Sequence, residues 1–115
     1  MRRIVHKPWG WYLTLDEGKD YKVKRITLNP HQRFSLQYHR YTEEHWSVVS
    51  GHGRITVAAL QHDAVPGSNW IIPATALHRA SAGDEELVFI ETQIGDCYEE
   101  DIIRIEDDYN RGSPK

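Results

Sequence analysis

Short segments of apolar or alternating residues recur along the chain, separated by turns rich in Gly, Pro, Asn and Asp. Eight such segments predict β-strands at 10–15, 21–28, 33–39, 45–51, 53–60, 69–74, 77–82 and 86–95. Turn signals recur roughly every 8 to 12 residues, which is typical of an all-β sandwich or barrel. A closed or double-sheet arrangement would also leave few strand edges exposed. The pattern therefore predicts an all-β fold.

The C-terminal segment 99–115 mixes acidic and basic residues around a short apolar run. Ile102, Ile103 and Ile105 predict either a strand or a short helix that packs on the body of the protein. The last residues, 112–115, are predicted to fray. With no repeat or linker in the sequence, we predict a single domain over 1–115 with its core at about 7–111.

Composition narrows the functional classes. The chain of 115 residues has 14 basic and 17 acidic residues and a net charge of −3, which argues against nucleic acid as a partner. It contains no run of about 18 apolar residues, so we predict no membrane span. The N-terminus lacks the apolar region of a secretory signal. A single cysteine, Cys97, is compatible with a reducing compartment. We therefore predict a cytoplasmic protein.

Four polar residues suggest a metal site. Strand alternation puts Gln37 and His39 on one face, and Glu44 follows after a turn. A second strand pair could bring His78 to the same face. Two imidazoles, a carboxylate and an amide oxygen suit a divalent first-row metal. The alternative is a chance cluster. With seven histidines in 115 residues, some are expected to lie close together by chance, and each histidine would then simply be hydrogen-bonded or solvated.

The spacing of these residues also resembles a known pattern. The series Gln37-x-His39-x4-Glu44-x6-Gly51, followed by Gly67-x5-Pro73-x4-His78, resembles the two paired motifs of the cupin superfamily. The stretches KPWGWY, YKVKRITLNPHQRFSLQYH, EHWSVVSG, IPATALHR and EEDIIRIEDDYNR resemble the cupin domain of type II phosphomannose isomerases. The resemblance runs over nearly the whole chain, from Lys7 to Arg111.

The resemblance implies a double-stranded β-helix, or jelly-roll cupin barrel, with one divalent metal ion inside. It implies Gln37, His39, Glu44 and His78 as ligands, a set that does not distinguish Zn, Mn, Fe, Co or Ni. The implied reaction is the interconversion of mannose 6-phosphate and fructose 6-phosphate through an enediol. In this family the domain usually forms the C-terminal part of bifunctional proteins, behind a mannose-1-phosphate guanylyltransferase domain.

Such a reaction needs an electrophile, a base and cations for the phosphate. We assign catalytic roles to Lys24, Arg104 and Glu43. A lysine facing the barrel interior would need an anion there, and Arg104 lies in the C-terminal segment that resembles the family. Glu43 is the candidate base, with His45 or a metal-bound water as alternatives. His45 should point away from Glu44 in a regular strand. The predicted substrate-binding residues are Arg40, Lys22 and Arg79. The alternative for each cation is a solvated position on the surface.

One stretch departs from the family pattern. The family typically reads Q-x-H-H-H-R-x-E-H-W, whereas here the ten positions read QYHRYTEEHW. Arg40 and Tyr41 replace two histidines, and Thr42 stands where the family has Arg. Thr42 favours an alternative function, a non-catalytic, metal-containing sugar-binding cupin or a cupin acting on a non-phosphorylated sugar. The predicted partner is therefore a small sugar or sugar phosphate.

Oligomeric state has two interpretations. Trp9 and Trp11 could lie at a sheet edge that pairs two copies as a homodimer. Equally, they could cap the barrel of their own chain.

Overall fold

Eleven β-strands in two antiparallel sheets account for the fold. A computed structural model describes residues 3–97 and 101–109, and within these ranges it contains no α-helix. The strands are β1 (Ile4–Lys7), β2 (Gly10–Gly18), β3 (Tyr21–Leu28), β4 (Leu36–His39), β5 (Thr42–Ser50), β6 (Gly53–Val57), β7 (Leu60–Ala64), β8 (Asn69–Ile72), β9 (His78–Ala82), β10 (Leu87–Gly95) and β11 (Ile102–Glu106). The predicted all-β class is confirmed.

The two sheets face each other across one apolar core. Sheet A has the strand order β1-β2-β3-β10-β5-β8, and sheet B has the order β11-β4-β9-β6-β7. Leu28, Trp46 and Phe89 from sheet A and Ile55 from sheet B are almost completely buried. Alternation explains this: in β5 the side chains from Thr42 to Val48 alternate between buried and more exposed positions. The result is the predicted double-stranded β-helix.

The strand boundaries differ from the prediction in identifiable places. β1 and β7 were not predicted. For β7 the reason is that four of its five residues are exposed, so the segment carries no apolar alternation. The strand predicted at 33–39 is shorter, since β4 covers only Leu36–His39. The strand alternative for the tail is confirmed by β11, whereas the predicted fraying at 112–115 lies outside the described residues.

Gly51 closes β5 in a conformation that favours glycine. Its φ is +88°, and a Cβ built there would collide with the carbonyl oxygen of Glu86. The glycine in the first motif is therefore required by the turn that joins β5 to β6.

The N-terminal tryptophans pack within their own chain. Trp9 is buried and its ring meets that of Phe34 edge-to-face, with 5.7 Å between centroids. Trp11 is half-buried beneath the guanidinium of Arg25, at 5.0 Å. Trp9 thus caps its own barrel, and the homodimer stays a prediction. The described part of the chain contains no helix long and apolar enough to cross a membrane.

Candidate metal centre

A cavity opens between the two sheets where the predicted ligands meet. Its volume is about 680 Å³, including the open mouth. The wall combines apolar or aromatic side chains with polar and charged ones. The lining residues are Trp9, Tyr12, Ile26, Phe34 and Ile102, together with Lys7, Lys24, Gln37, His39, Glu44, Glu91, Gln93 and Arg104.

Sheet B supplies one row of polar residues. The strand register aligns Arg104 of β11 with Gln37 of β4, and Gln37 with His78 of β9. His39 lies two residues further along β4, on the same face as Gln37. The predicted shared face of Gln37 and His39 is seen in the cavity wall, which both residues line.

Sheet A supplies the facing row. Lys24 of β3 aligns with Glu91 of β10, which in turn aligns with Trp46 of β5. Glu44 lies two residues before Trp46 on the same inward face and is 2% exposed. The sheets therefore place a carboxylate from β5 opposite two imidazoles from β4 and β9.

His39, Glu44 and His78 form a compact cluster. One ligand atom from each lies within 4.8 Å of the others. Nδ1 of His39 is 3.0 Å from Oε2 of Glu44, and Nε2 of His78 is 3.6 Å from Oε1 of Glu44. Two ligand atoms bound to one ion at about 2.1 Å lie roughly 3.0 to 3.4 Å apart. The contacts of Glu44 with the two histidines are close to this range, so the three side chains form a candidate site for one divalent ion.

The histidine nitrogens that face Glu44 are prepared to bind a cation. Nδ1 of His78 lies 2.9 Å from the carbonyl oxygen of Ala76 and donates to it, which leaves the lone pair on Nε2. Nε2 of His78 and Nδ1 of His39 are buried and make no hydrogen bond within the described residues. A buried nitrogen lone pair without a donor is costly unless an ion occupies the site.

Burial also keeps both imidazoles neutral. It lowers the pKa of His39 to about 4, with a further contribution from His78 nearby. Burial likewise lowers the pKa of His78. Metal ligation requires neutral imidazole, so both side chains are in the competent form at neutral pH.

Gln37 lies beside this cluster with its amide engaged. Its Oε1 accepts a hydrogen bond from Oγ of Ser35 at 2.6 Å, and the side chain lines the cavity. Its role as the fourth ligand stays a prediction.

Glu91 is a functional candidate that was not predicted from the sequence. It is 7% exposed and lines the cavity. Burial, together with the neighbouring Glu44 carboxylate, raises the pKa of Glu91 to about 8. A signal was available, because Glu91 shares an alternating set with the buried Leu87 and Phe89, where a carboxylate is unusual.

Two of the predicted cations reach the cavity. Lys24 and Arg104 both line it, and Lys7 joins them. Nζ of Lys24 lies 4.5 Å from the centre of the Tyr12 ring, in a cation–π arrangement. The expectation that Lys24 faces the barrel interior agrees with its 8% exposure.

The other predicted site residues lie elsewhere. Glu43 is on the outer face of β5, where its Oε2 is 2.7 Å from Nε2 of His45, because neighbours of an inward residue point outward. This position does not suit a base, and it agrees with the expectation that His45 points away from Glu44. Lys22 aligns with Gln93 on β10 but does not line the cavity itself.

Two arginines are held by protein partners instead of facing the cavity. Nε of Arg79 donates to the carbonyl oxygen of Phe34 at 2.9 Å, and its terminal nitrogens donate to Glu106. Arg79 must point away from the cluster because it follows the inward His78. Nε of Arg40 donates to the buried Asp101 at 3.1 Å, which ties down the turn after β4.

Thr42 occupies the interior of the barrel. It is 2% exposed, and its Oγ1 accepts a hydrogen bond from Nε2 of Gln93 at 3.2 Å. Gln93 in turn lines the cavity. Thr42, one of the three residues that depart from the family pattern, is therefore hydrogen-bonded to a residue of the cavity wall.

Comparison with known sequences agrees with the predicted resemblance. A family model described as mannose-6-phosphate isomerase C-terminal matches residues 1–107. Mannose-1-phosphate guanylyltransferase ManC of Salmonella typhimurium is 39% identical over 113 residues, which cover 96% of this chain and 24% of that protein. Alginate biosynthesis protein AlgA of Pseudomonas aeruginosa is 40% identical over 109 residues, covering 93% and 23%. The chain spans about a quarter of the length of these relatives.

Solved structures share the fold. An RmlC-like cupin from Shewanella frigidimarina superimposes with a TM-score of 0.76 at 17% identity, covering 86% of this chain and 87% of that one. At this identity the likeness concerns the fold alone. It confirms the predicted cupin barrel.

Proposed function

Since this chain belongs to the family described as mannose-6-phosphate isomerase C-terminal, we propose that it interconverts mannose 6-phosphate and fructose 6-phosphate. The observation that carries the proposal is the cavity, which combines a cluster suited to a divalent ion with three cations in its wall and a second carboxylate. Each element meets one requirement of an aldose–ketose isomerisation.

His39, Glu44 and His78 would hold the ion, with Gln37 as the proposed fourth ligand. A divalent ion bound there would supply Lewis-acid stabilisation of the negative charge that develops on the open-chain sugar. The donor set of imidazole nitrogens and carboxylate and amide oxygens accepts Zn, Mn, Fe, Co or Ni.

The charge of the cavity favours an anionic substrate. Lys7, Lys24 and Arg104 oppose the two carboxyl groups of Glu44 and Glu91 in its wall. A divalent ion adds two positive charges, so the loaded cavity is cationic even when both carboxyls are ionised. A cleft with one sign of charge and low-dielectric walls attracts the opposite sign. A sugar phosphate satisfies this field better than a neutral sugar does.

Glu91 takes the role of the base for which Glu43 was predicted. Its carboxylate removes the C2 proton of the aldose, the electron pair of the C–H bond forms the C1–C2 double bond, and the π pair of the C1 carbonyl moves to O1, which takes up a proton to complete the enediol. The hydroxyl on C2 then loses its proton as the C2 carbonyl forms, and the pair of the C1–C2 double bond takes the proton back from Glu91 at C1. Lys24 aligns with Glu91 on the neighbouring strand, which supports a role for Lys24 as a hydrogen-bond donor to the bound sugar phosphate.

The proposal is tested by loading the purified protein with each candidate metal and coupling fructose 6-phosphate formation to a reporter enzyme. We expect turnover of mannose 6-phosphate and none of mannose. Metal binding without turnover by any of the five ions would overturn the proposal.

Thr42 favours a second candidate function, a sugar-binding module without catalysis. The family has Arg at this position, whereas here a buried threonine hydrogen-bonds to Gln93. Calorimetric titration separates the two functions: a module would bind mannose or its phosphate without chemical change. Tight binding of unphosphorylated mannose would favour the module.

The setting that we propose is cytoplasmic synthesis of mannose-derived polysaccharide precursors. The support comes from relatives, one of which is named for alginate biosynthesis. A homodimer is part of the same proposal, and light scattering of the purified protein tests it directly.

A further inference from the structure

We infer that Trp46 is a positioning residue of the metal centre, acting through Glu44 and Glu91. The inference rests on the proposed metal centre. It concerns a side chain that holds the ligands in place and does not itself bind the ion.

The indole N–H of Trp46 is aimed at two carboxylates. Nε1 lies 2.8 Å from Oε1 of Glu44 and 3.1 Å from Oε1 of Glu91. Trp46 is 1% exposed, so water does not compete for this donor. Strand alternation places Glu44 and Trp46 on one face of β5, and the register places Glu91 directly opposite Trp46.

One donor shared by two acceptors fixes how Glu44 is oriented. Its Oε1 accepts from Trp46, which leaves Oε2 facing Nδ1 of His39 at 3.0 Å. Rotation of the carboxylate would break the bond to the indole and leave a buried donor less well satisfied. Trp46 therefore selects the rotamer in which Glu44 faces both histidines.

The same ring supports a second ligand by packing. The ring of Trp46 meets the imidazole of His78 edge-to-face at 5.5 Å, and it lies 4.8 Å from the ring of Phe89. These contacts belong to the aromatic ring, whereas the contact to Glu44 belongs to the N–H. A Trp46→Phe substitution keeps an aromatic ring and removes only the donor.

The hydrogen bond has a measurable consequence for metal affinity. Partners that hydrogen-bond to metal ligands typically change affinity by about 10- to 100-fold when removed. We expect the Trp46→Phe variant to bind the ion about 10- to 100-fold more weakly while it keeps the fold. We also expect the visible spectrum of the cobalt-loaded variant to change, because the carboxylate loses its fixed orientation.

The experiment compares the dissociation constants of Zn²⁺ and Co²⁺, measured by chelator competition, in wild type and Trp46→Phe. Trp70→Phe is the matched control, because Trp70 aligns with Trp46 on the neighbouring strand β8. The control should bind like wild type. Equal affinity and identical cobalt spectra in Trp46→Phe and wild type would overturn the inference.

A measurement on the wild-type protein covers the case in which Trp46→Phe does not fold. Titration with Zn²⁺ should shift the indole N–H proton resonance of Trp46 up to one equivalent and leave that of Trp11 in place. An unmoved Trp46 resonance in a protein that binds the ion would overturn the inference alone. A wild type that binds no ion would overturn the proposed metal centre together with it.

Discussion

Nε2 of His78 and Oε1 of Glu44 lie 3.6 Å apart in a buried site, and no hydrogen bond joins them. The imidazole proton of His78 is committed to Ala76, so a lone pair faces a carboxylate oxygen. Two acceptors directed at each other repel unless a cation lies between them. This relationship is the physical basis for the proposed metal centre.

Replacing either histidine with alanine should abolish stoichiometric metal binding. His39→Ala and His78→Ala each remove one of three clustered ligands, and elemental analysis after dialysis measures the result. His62→Ala is the control, because His62 is exposed on β7. Full metal content in both variants, with the fold intact by circular dichroism, would refute the ligand set.

Removing a cavity cation should weaken binding of the sugar phosphate. Lys24→Met and Arg104→Met each delete a charge from the cavity wall. A hydrogen bond to a charged group contributes about 1.5 to 3 kcal/mol, so KM for mannose 6-phosphate should rise roughly 10- to 100-fold. Arg54→Met, on the exposed side of β6, should leave KM unchanged. Equal KM values in all three variants would place the phosphate elsewhere.

Arg79→Met should lower stability and leave KM unchanged. Arg79 is 6% exposed and donates to the carbonyl oxygens of Phe34 and Glu106, which join the body of sheet B to β11. Loss of these bonds should cost about 2 to 4 kcal/mol of unfolding free energy. Urea denaturation measures that cost and steady-state kinetics measures KM. A raised KM with unchanged stability would restore the predicted substrate role of Arg79.

Glu91→Gln should change how the stability of the metal-free protein depends on pH. The pKa of Glu91 is raised from 4.5 to about 8 in the folded protein. Between these two pH values the folded protein keeps the proton on Glu91, whereas the unfolded chain loses it. The wild type should therefore become less stable as pH rises from about 4.5 to about 8. Glutamine stays neutral in both states and should not show this loss.

The difference between the two proteins isolates this effect. Lowered pKa values of His39 and His78 reduce stability as pH falls below 6.5. Burial is their main cause and is the same in both proteins, so this main part cancels in the difference, whereas the smaller contribution of Glu91 does not. The unfolding free energy of Glu91→Gln minus that of wild type should thus increase with pH. A difference that is flat between pH 4.5 and 8 would contradict the raised pKa.

Strand alternation and motif spacing predicted the residues that depend on local geometry. Gln37 and His39 share a face because they are two residues apart, and the second motif identified His78. The same rule shows why Glu43 and Arg79 lie outside the cavity, since each is adjacent to an inward residue. Once the inward residues were known, alternation within one strand was therefore sufficient to predict on which face these side chains lie.

Contacts between distant segments could not be predicted in this way. Asp101 accepts hydrogen bonds from the backbone and side chain of Arg40, which is 61 residues away in sequence. Glu91 meets Trp46 only because β10 lies between β3 and β5 in sheet A. Strand order and register decide these pairs, and no local pattern encodes either one.

We propose that this chain isomerises a sugar phosphate through an enediol, and a proton NMR time course of mannose 6-phosphate in D₂O with the metal-loaded protein tests this most directly. We expect conversion to fructose 6-phosphate, deuterium incorporation from solvent, and loss of both in Glu91→Gln. Unchanged mannose 6-phosphate in the presence of stoichiometrically bound metal would contradict it.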